Sequence, residues 1–103
     1  MPYPNFHAIS VANTGATVTT TVSTSQNAAL PNTSAGTRPR FVRFSSTGRC
    51  HVRLGMTGPV AVLTDTMVQP GDAIVLTVGS FTHWAVIDAG VSVTLNVTPM
   101  EDS

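Results

Sequence analysis

Few side chains in this sequence have the type and spacing that catalysis or metal binding requires. The three histidines, His7, His51 and His83, are far apart, whereas the ligands of a structural zinc site usually come in closely spaced pairs. Cys50 has no second cysteine with which to form a disulfide, and its apolar strand position favours a small core residue over a reactive thiol. The nucleophile, phosphate-loop and zinc-protease motifs do not occur. We therefore predict that the protein is not an enzyme and uses no metal or cofactor.

The positive charge of the chain is concentrated in one stretch, because its five cationic side chains are all arginines between Arg38 and Arg53. Arg43 and Arg53 are predicted to point outward from neighbouring strands joined by a turn that carries Arg49, so that the three would form one patch. Such a patch suits contacts with the carboxylates of a partner protein or with the phosphates of packaged nucleic acid. The third alternative is pairing within the chain, with Asp65, Asp72 or Asp88.

The composition favours a small domain that buries part of its surface against other proteins. The 103 residues carry no net charge, only 10% are charged, and lysine is absent. Arginine is enriched at protein interfaces and lysine is depleted there, whereas a non-specific nucleic-acid-binding protein needs surplus cations. No apolar run approaches the roughly 20 residues that span a bilayer, and the first residues lack the pattern of a signal peptide. We expect protein partners rather than nucleic acid or a membrane, and a chain made in the cytoplasm.

Short β-branched runs separated by turn residues predict an all-β fold. The predicted strands cover residues 40–45, 50–54, 60–63, 73–78, 81–87 and 91–98. The first two should form a hairpin that points His51 and Arg53 outward, and the run at 73–78 is apolar enough to be buried on both faces. A type II turn is predicted at Pro70-Gly71. This spacing predicts a single antiparallel β-sandwich or a jelly-roll-like barrel.

Residues 1–37 are predicted to form an extended N-terminal arm and an edge strand, ahead of the sandwich core and short acidic tail at residues 38–103. The β-branched run at residues 16–24 reads as that edge strand, or as an arm that pairs with another chain. Tyr3, Phe6 and Ile9 are the apolar residues that would anchor the arm on this domain or on a neighbour. The alternative for the first residues is a frayed terminus.

Five segments of the sequence resemble small virion proteins of tailed bacteriophages. Residues 40–44 (RFVRF) and 48–55 (GRCHVRLG) match strands of the form R-[YF]-V-R-[IF] and G-x-C-[YH]-V-[KR]-[IFL]-G. The resemblance continues through the apolar strand after Pro70, residues 82–87 (THWAVI) and residues 95–101 (LNVTPME), so that it covers roughly residues 38–101. These motifs are β-strand patterns, and they contain no catalytic residues that could be transferred to this chain.

The resemblance implies a decoration or cement protein, which binds the outer shell of a capsid at capsomer junctions and stabilises it. The expected partner is the major capsid protein, the expected assembly is a homo-oligomer, with a trimer favoured, and the expected location is the capsid surface of a virion assembled in the host cytoplasm. The arginines at 43, 49 and 53 would then dock on the shell. The alternative is a binding module of the head–tail junction, tail or fibre, with Trp84 and Tyr3 as stacking platforms for carbohydrate, although Trp84 on an apolar strand favours a core position.

Overall fold

The computed structural model describes residues 9–11 and 15–102, which form nine β-strands and no helix. The strands are β1 (Ile9–Val11), β2 (Ala16–Thr19), β3 (Gln26–Ala29), β4 (Phe41–Ser46), β5 (Cys50–Gly55), β6 (Thr66–Val68), β7 (Ile74–Thr77), β8 (His83–Asp88) and β9 (Thr94–Asp102). The described residues contain no helix that is long and apolar enough to cross a membrane. The predicted all-β class is therefore confirmed.

The strands form two antiparallel sheets that pack face to face. In the first sheet the order is β2-β9-β4-β7, and β1 also pairs with β9, beyond the end of β2. In the second sheet the order is β3-β8-β5-β6. Strands β2 to β9 are thus paired in the order of a jelly roll, in which the chain passes repeatedly from one sheet to the other. The predicted antiparallel β-sandwich is confirmed.

The predicted hairpin between β4 and β5 is wrong, because the two strands belong to different sheets. The connection between them crosses the end of β9, where Thr47 N donates to Thr94 O at 3.0 Å. Gly48 allows this crossing, since a Cβ at that position would overlap Cγ1 of Val93. The alternation of buried and exposed residues is the same in a hairpin and in a crossing, so the pattern alone could not distinguish them.

The core lies between the sheets. Val42 and Phe44 enter it from the first sheet, and Val52 and Trp84 enter it from the second, each with at most 2% of its surface exposed. Cys50 is also fully buried, as predicted, and burial raises the pKa of its thiol, which disfavours the reactive thiolate. The sequence therefore assigned most of the inward-facing positions correctly.

Pro99 lies inside β9, although the sequence predicted that it would end this strand. Thr20 N donates to Val93 O, so the odd-numbered residues of β9 direct their backbone groups toward β1 and β2. The last partner of β1 is Met100 and the first partner of β2 is Val97, so none of the described residues pairs with Pro99 on that side. The missing N–H of the proline therefore removes no hydrogen bond between the described strands.

The predicted edge strand is present but shorter than expected. β2 ends at Thr19, and a turn with Ser23 at φ 59° takes the chain to β3 at the edge of the second sheet. β7 is also an edge strand, and the expectation that residues 73–78 are buried on both faces is wrong, because Val75 is 50% exposed. The turn at Pro70-Gly71 is confirmed, with Gly71 at φ 82°.

Candidate protein-docking surface

Exposed apolar side chains are concentrated in the connection between β5 and β6. Nine large apolar residues are exposed in the part of the chain whose side chains are described, and five of them lie between residues 56 and 67. Met56, Val60, Val62 and Leu63 lie in the connection itself, and Met67 follows it in β6. We call residues 56–65 the apolar loop. Clustered exposed apolar groups often mark protein-binding surfaces.

The apolar loop is fastened to the outer face of the second sheet. Its first contact is at Gly55, where a Cβ would lie only 2.8 Å from Cβ of Pro59. Farther along, Ala61 N donates to Ser25 Oγ at 2.8 Å, and Ala61 itself is buried. Because Ser25 precedes β3, on the far side of β8 from β5, the loop must cross the sheet to reach it. The exposed side chains therefore project from a loop with a defined path.

Asp65 closes the end of the apolar loop through both of its carboxylate oxygens. Oδ2 accepts a hydrogen bond from Val62 N at 2.8 Å, and Oδ1 lies 3.0 Å from Nη2 and 3.1 Å from Nε of Arg53. Burial by itself raises the pKa of Asp65, but the hydrogen bonds from Val62 and Arg53 outweigh it and lower the pKa below its usual value. The carboxylate is therefore charged at neutral pH and holds the loop against β5.

His51 is buried, which contradicts the prediction of an exposed strand residue. Only 6% of its surface is exposed, and its Nδ1 lies 3.1 Å from the carbonyl oxygen of Asp65. Because a carbonyl can only accept, Nδ1 carries the hydrogen of this bond. The alternation placed His51 on the correct side of the strand, but the apolar loop covers that side. Ala85, on the same outer side of β8, is buried as well.

The histidines do not mark a metal site in the described part of the chain, where no group of three His, Cys, Asp or Glu residues is suitably placed. His83 is half-buried on β8, and its Nδ1 lies 2.7 Å from Oγ1 of the preceding Thr82. His51 is opposite Ile87 and His83 is opposite Gly55, so the two histidines are four positions apart along the strands.

The structure separates the arginines that the sequence grouped into one patch. Arg43 is half-buried on the outer face of the first sheet, because its neighbours Val42 and Phe44 point inward. Arg53 lies on the outer face of the second sheet, on the opposite side of the sandwich, and Arg49 is exposed in the connection between them. Arg53 is also engaged by Asp65, which was the alternative of pairing within the chain.

The predicted arm anchors lie mostly outside the described residues. Tyr3 and Phe6 both lie outside the described residues. Ile9 begins β1, where it is the strand partner of Asp102. β1 and β2 both pair with β9 of the same chain, so these two segments are built into the first sheet.

A second group of arginines precedes β4. Arg38 is exposed, and the guanidinium of Arg40 lies 5.9 Å from the centre of the Phe41 ring. Between them, Pro39 is buried, and a shallow depression beside it is lined by Phe41 and Met100. Two arginines separated by a proline were visible in the sequence, but nothing there predicted that the segment would flank a depression.

The apolar loop was missed because Val60 to Leu63 reads as a strand. The signal against a strand was the Gly58-Pro59 pair directly before it, since glycine and proline favour a turn. Gly58 has φ 73°, which an L-residue rarely adopts. Asp65 could have been recognised as a capping residue, because it lies three positions after Val62. Short polar side chains often form hydrogen bonds with backbone groups at that separation.

Comparison with known proteins returned no match, whether to a family model, to a curated protein or to a solved structure. Inferences about the function of the chain therefore rest on its residues and on the geometry of the sandwich. Of the surfaces described, the apolar loop carries the most exposed apolar side chains on a backbone held by hydrogen bonds, so it is the candidate docking surface.

Proposed function

We propose that the protein is a non-enzymatic structural protein of a phage virion, a decoration protein that binds the outer capsid shell at capsomer junctions and stabilises it. The observation that carries the proposal is the apolar loop, which presents Leu63, 61% exposed, and its apolar neighbours to solvent. The virion assignment is supported by the resemblance of residues 38–101 to small phage virion proteins.

The fixed path of the apolar loop favours binding. A flexible loop loses conformational entropy when it docks, whereas a loop already held by Ser25 and Asp65 loses less. Met56 and Met67 add side chains that adapt to an irregular partner surface. Because Arg53 and Asp65 neutralise each other at the edge of the loop, the surface suits an apolar patch with a polar rim on the major capsid protein.

Weak docking by one copy would become strong in an assembly. A homo-oligomer, with a trimer favoured by the resemblance, would present several apolar loops to neighbouring capsid subunits at once. Each further contact is then intramolecular, so overall affinity can exceed single-site affinity by about 10²–10⁴ without any new type of contact. This multivalency is how a small domain would hold capsomers together.

The alternative site on the particle is the head–tail junction, the tail or a fibre. A jelly roll suits each of these locations, because fold alone does not determine function. Carbohydrate stacking on Trp84 is not a basis for the fibre alternative, since only 2% of this residue is exposed. Docking through the apolar loop would serve a connector or tail partner as well as a capsid partner.

The copy number of the protein in purified particles decides between these locations. Quantitative mass spectrometry against the major capsid protein should find hundreds of copies in a simple ratio. A few to a few dozen copies would favour the junction, tail or fibre, and absence from the particle would overturn the virion assignment.

The docking surface is tested by the double variant Val60→Ser, Leu63→Ser. We expect it to fold normally, because both side chains are exposed. When it is added to capsids that lack the wild-type protein, fewer copies should bind than with the wild type. Val91→Ser is the matched control, since Val91 is 73% exposed in the turn before β9. Capsid occupancy equal to that of wild type in the double variant would show that the apolar loop is not the docking surface.

Arg43→Glu tests whether the outer face of the first sheet also takes part in docking, as the predicted roles of Arg43 and Arg49 require. Arg49→Glu is a second probe, placed in the connection between the sheets. Reduced capsid occupancy by either variant would support charge-assisted contacts with capsid carboxylates. Unchanged occupancy in both would leave docking to the apolar loop alone.

A further inference from the structure

β7 is a free edge strand without the features that usually protect an edge. Of the described residues, only those of β4 pair with it, and its four residues include no charge and no proline. Val75 is 50% exposed on the outer face. Val78 N donates to Arg40 O at 2.9 Å, and backbone groups alternate in direction along a strand, so the N–H and C=O groups of Val75 and Thr77 point away from the sheet.

β2 is the other long edge of the same sheet and has the same character. Thr20 N donates to Val93 O at 2.8 Å, so the N–H and C=O groups of Thr17 and Thr19 point away from β9. Both threonines are exposed, and β2 likewise contains neither a charge nor a proline. Natural edge strands usually carry lysine, proline or a bulge, which prevent pairing with another chain.

The directions of the two edges are complementary. Three antiparallel steps separate β2 from β7 in the order β2-β9-β4-β7, so the two edge strands run in opposite directions. A second copy placed beside the first in the same orientation would therefore set its β7 antiparallel to β2. On each edge, the residues whose N–H and C=O groups point outward are two positions apart. The donors of one edge can therefore meet the acceptors of the other.

We propose that copies of this chain associate head to tail, with β7 of one copy paired to β2 of the next in a continuous antiparallel sheet. The pairing would place Val75 and Thr77 beside Thr17 and Thr19, and cross-strand pairs of β-branched residues stabilise sheets. Pairing of β7 with β7 of a second copy would leave both β2 edges open, whereas head-to-tail pairing covers both kinds of edge. A head-to-tail contact closes into a ring when its rotation permits.

This inference deepens the homo-oligomer of the proposed function by naming the strands in contact, but it concerns only contacts between copies and does not rest on the capsid assignment. It is tested on the full chain by light scattering coupled to size-exclusion chromatography. The wild-type protein should have a mass of at least two chains of 10.7 kDa each. A wild-type monomer at all accessible concentrations would overturn the inference and the multivalency argument, whereas docking of a single copy through the apolar loop is tested separately by the Val60→Ser, Leu63→Ser variant.

Proline at outward-facing positions removes the contact and spares the sheet. In Val75→Pro and Thr19→Pro the lost N–H is one that points away from the neighbouring strand, and proline is tolerated at such edge positions. Each variant should keep the circular dichroism of the wild type and run as a monomer. Val75→Lys and Thr17→Lys, which place a charge on each edge, serve as second variants if a proline variant does not fold.

Mixing the two proline variants separates head-to-tail pairing from the symmetric alternative. The Val75→Pro chain keeps an intact β2, and the Thr19→Pro chain keeps an intact β7, so an equimolar mixture should form a one-to-one dimer and nothing larger. If Thr19→Pro alone assembles like the wild type, β2 is not part of the contact and the head-to-tail inference is wrong.

Discussion

The guanidinium of Arg53 lies 3.0 Å from the carboxylate of Asp65 and so joins the outer face of the second sheet to the end of the apolar loop. The two residues do not contribute equally to this junction. The Arg53 side chain is 46% exposed, and an ion pair at such a position contributes little, whereas Asp65 also accepts the backbone N–H of Val62. The position of the docking surface therefore depends more on Asp65 than on Arg53.

Substitution of the two partners should separate these contributions. Arg53→Gln should lower the free energy of unfolding by less than about 1 kcal/mol, as for an exposed ion pair. Asp65→Ala should lower it by about 1–3 kcal/mol, because the Val62 N–H loses its acceptor as well. Urea denaturation measures both values. Hydrogen exchange at the Val62 amide should accelerate in Asp65→Ala alone, and equal acceleration in both variants would contradict the assigned role of Asp65.

The crossing between the sheets at Gly48 gives a second prediction. Gly48→Ala should lower the free energy of unfolding by about 1–3 kcal/mol, because the new Cβ would overlap Val93, a buried β-branched residue with few alternative rotamers. In a Val93→Ala background the same substitution should cost much less, since the obstructing Cγ1 is gone. The four proteins of this double-mutant cycle are compared by urea denaturation. Strictly additive costs would show that the two side chains do not compete for space.

The sequence predicted the inward-facing residues better than it predicted their partners. Alternation placed Val42, Phe44 and Val52 in the core, and the structure buries all three. Alternation cannot specify which strands pair, because a hairpin and a crossing between sheets bury the same positions. For that reason Arg43 and Arg53 were assigned to one surface, although they lie on opposite faces of the sandwich.

The docking surface was harder to predict, because it depends on contacts between distant segments. The apolar loop is held in place by Ser25, 36 positions before its hydrogen-bond partner Ala61, and no local pattern shows that contact. The burial of His51 follows from the same loop. Asp88 is almost completely buried, because the turn after β2 folds over it, and this contact also joins distant segments.

Trp84, the single tryptophan of the chain, reports on the core directly. It is 2% exposed and lies between Ala28 and Leu54 in the strand register of the second sheet. Its fluorescence should be shifted to shorter wavelength relative to the unfolded chain and should resist quenching by acrylamide until the protein unfolds. Emission like that of the unfolded chain under native conditions would place Trp84 at the surface and restore it as a stacking platform.

Asp88 links the turn after β2 to the turn after β8, and this link is sensitive to acid. The carboxylate is 1% exposed and has three hydrogen-bond donors: Thr20 Oγ1 at 2.8 Å, Ser23 N at 2.9 Å and Gly90 N at 3.0 Å. Burial by itself raises the pKa of Asp88, but these hydrogen bonds outweigh it and lower the pKa below its ordinary value. The folded protein therefore binds a proton at Asp88 less readily than the unfolded chain does.

The stability of the protein should consequently fall in acid. A carboxylate with a lowered pKa stabilises the fold fully above its unfolded pKa of about 3.9, and this contribution is lost as the pH falls from there through the folded value. Asp65 acts in the same direction. We expect the urea midpoint of the wild type to change little through Asp88 between pH 7 and pH 5, and to drop below about pH 4.

Asp88→Asn isolates the contribution of this carboxylate. The variant should be less stable than the wild type by about 1–3 kcal/mol at pH 7, because an amide cannot accept all three hydrogen bonds as a carboxylate does. Its urea midpoint should then fall less steeply than that of the wild type between pH 5 and pH 3, with the remaining slope due in part to Asp65. Asp72→Asn, at an exposed turn position, is the control and should follow the wild type. If Asp88→Asn and the wild type lose stability in parallel as the pH falls, the acid sensitivity of the fold comes from other groups.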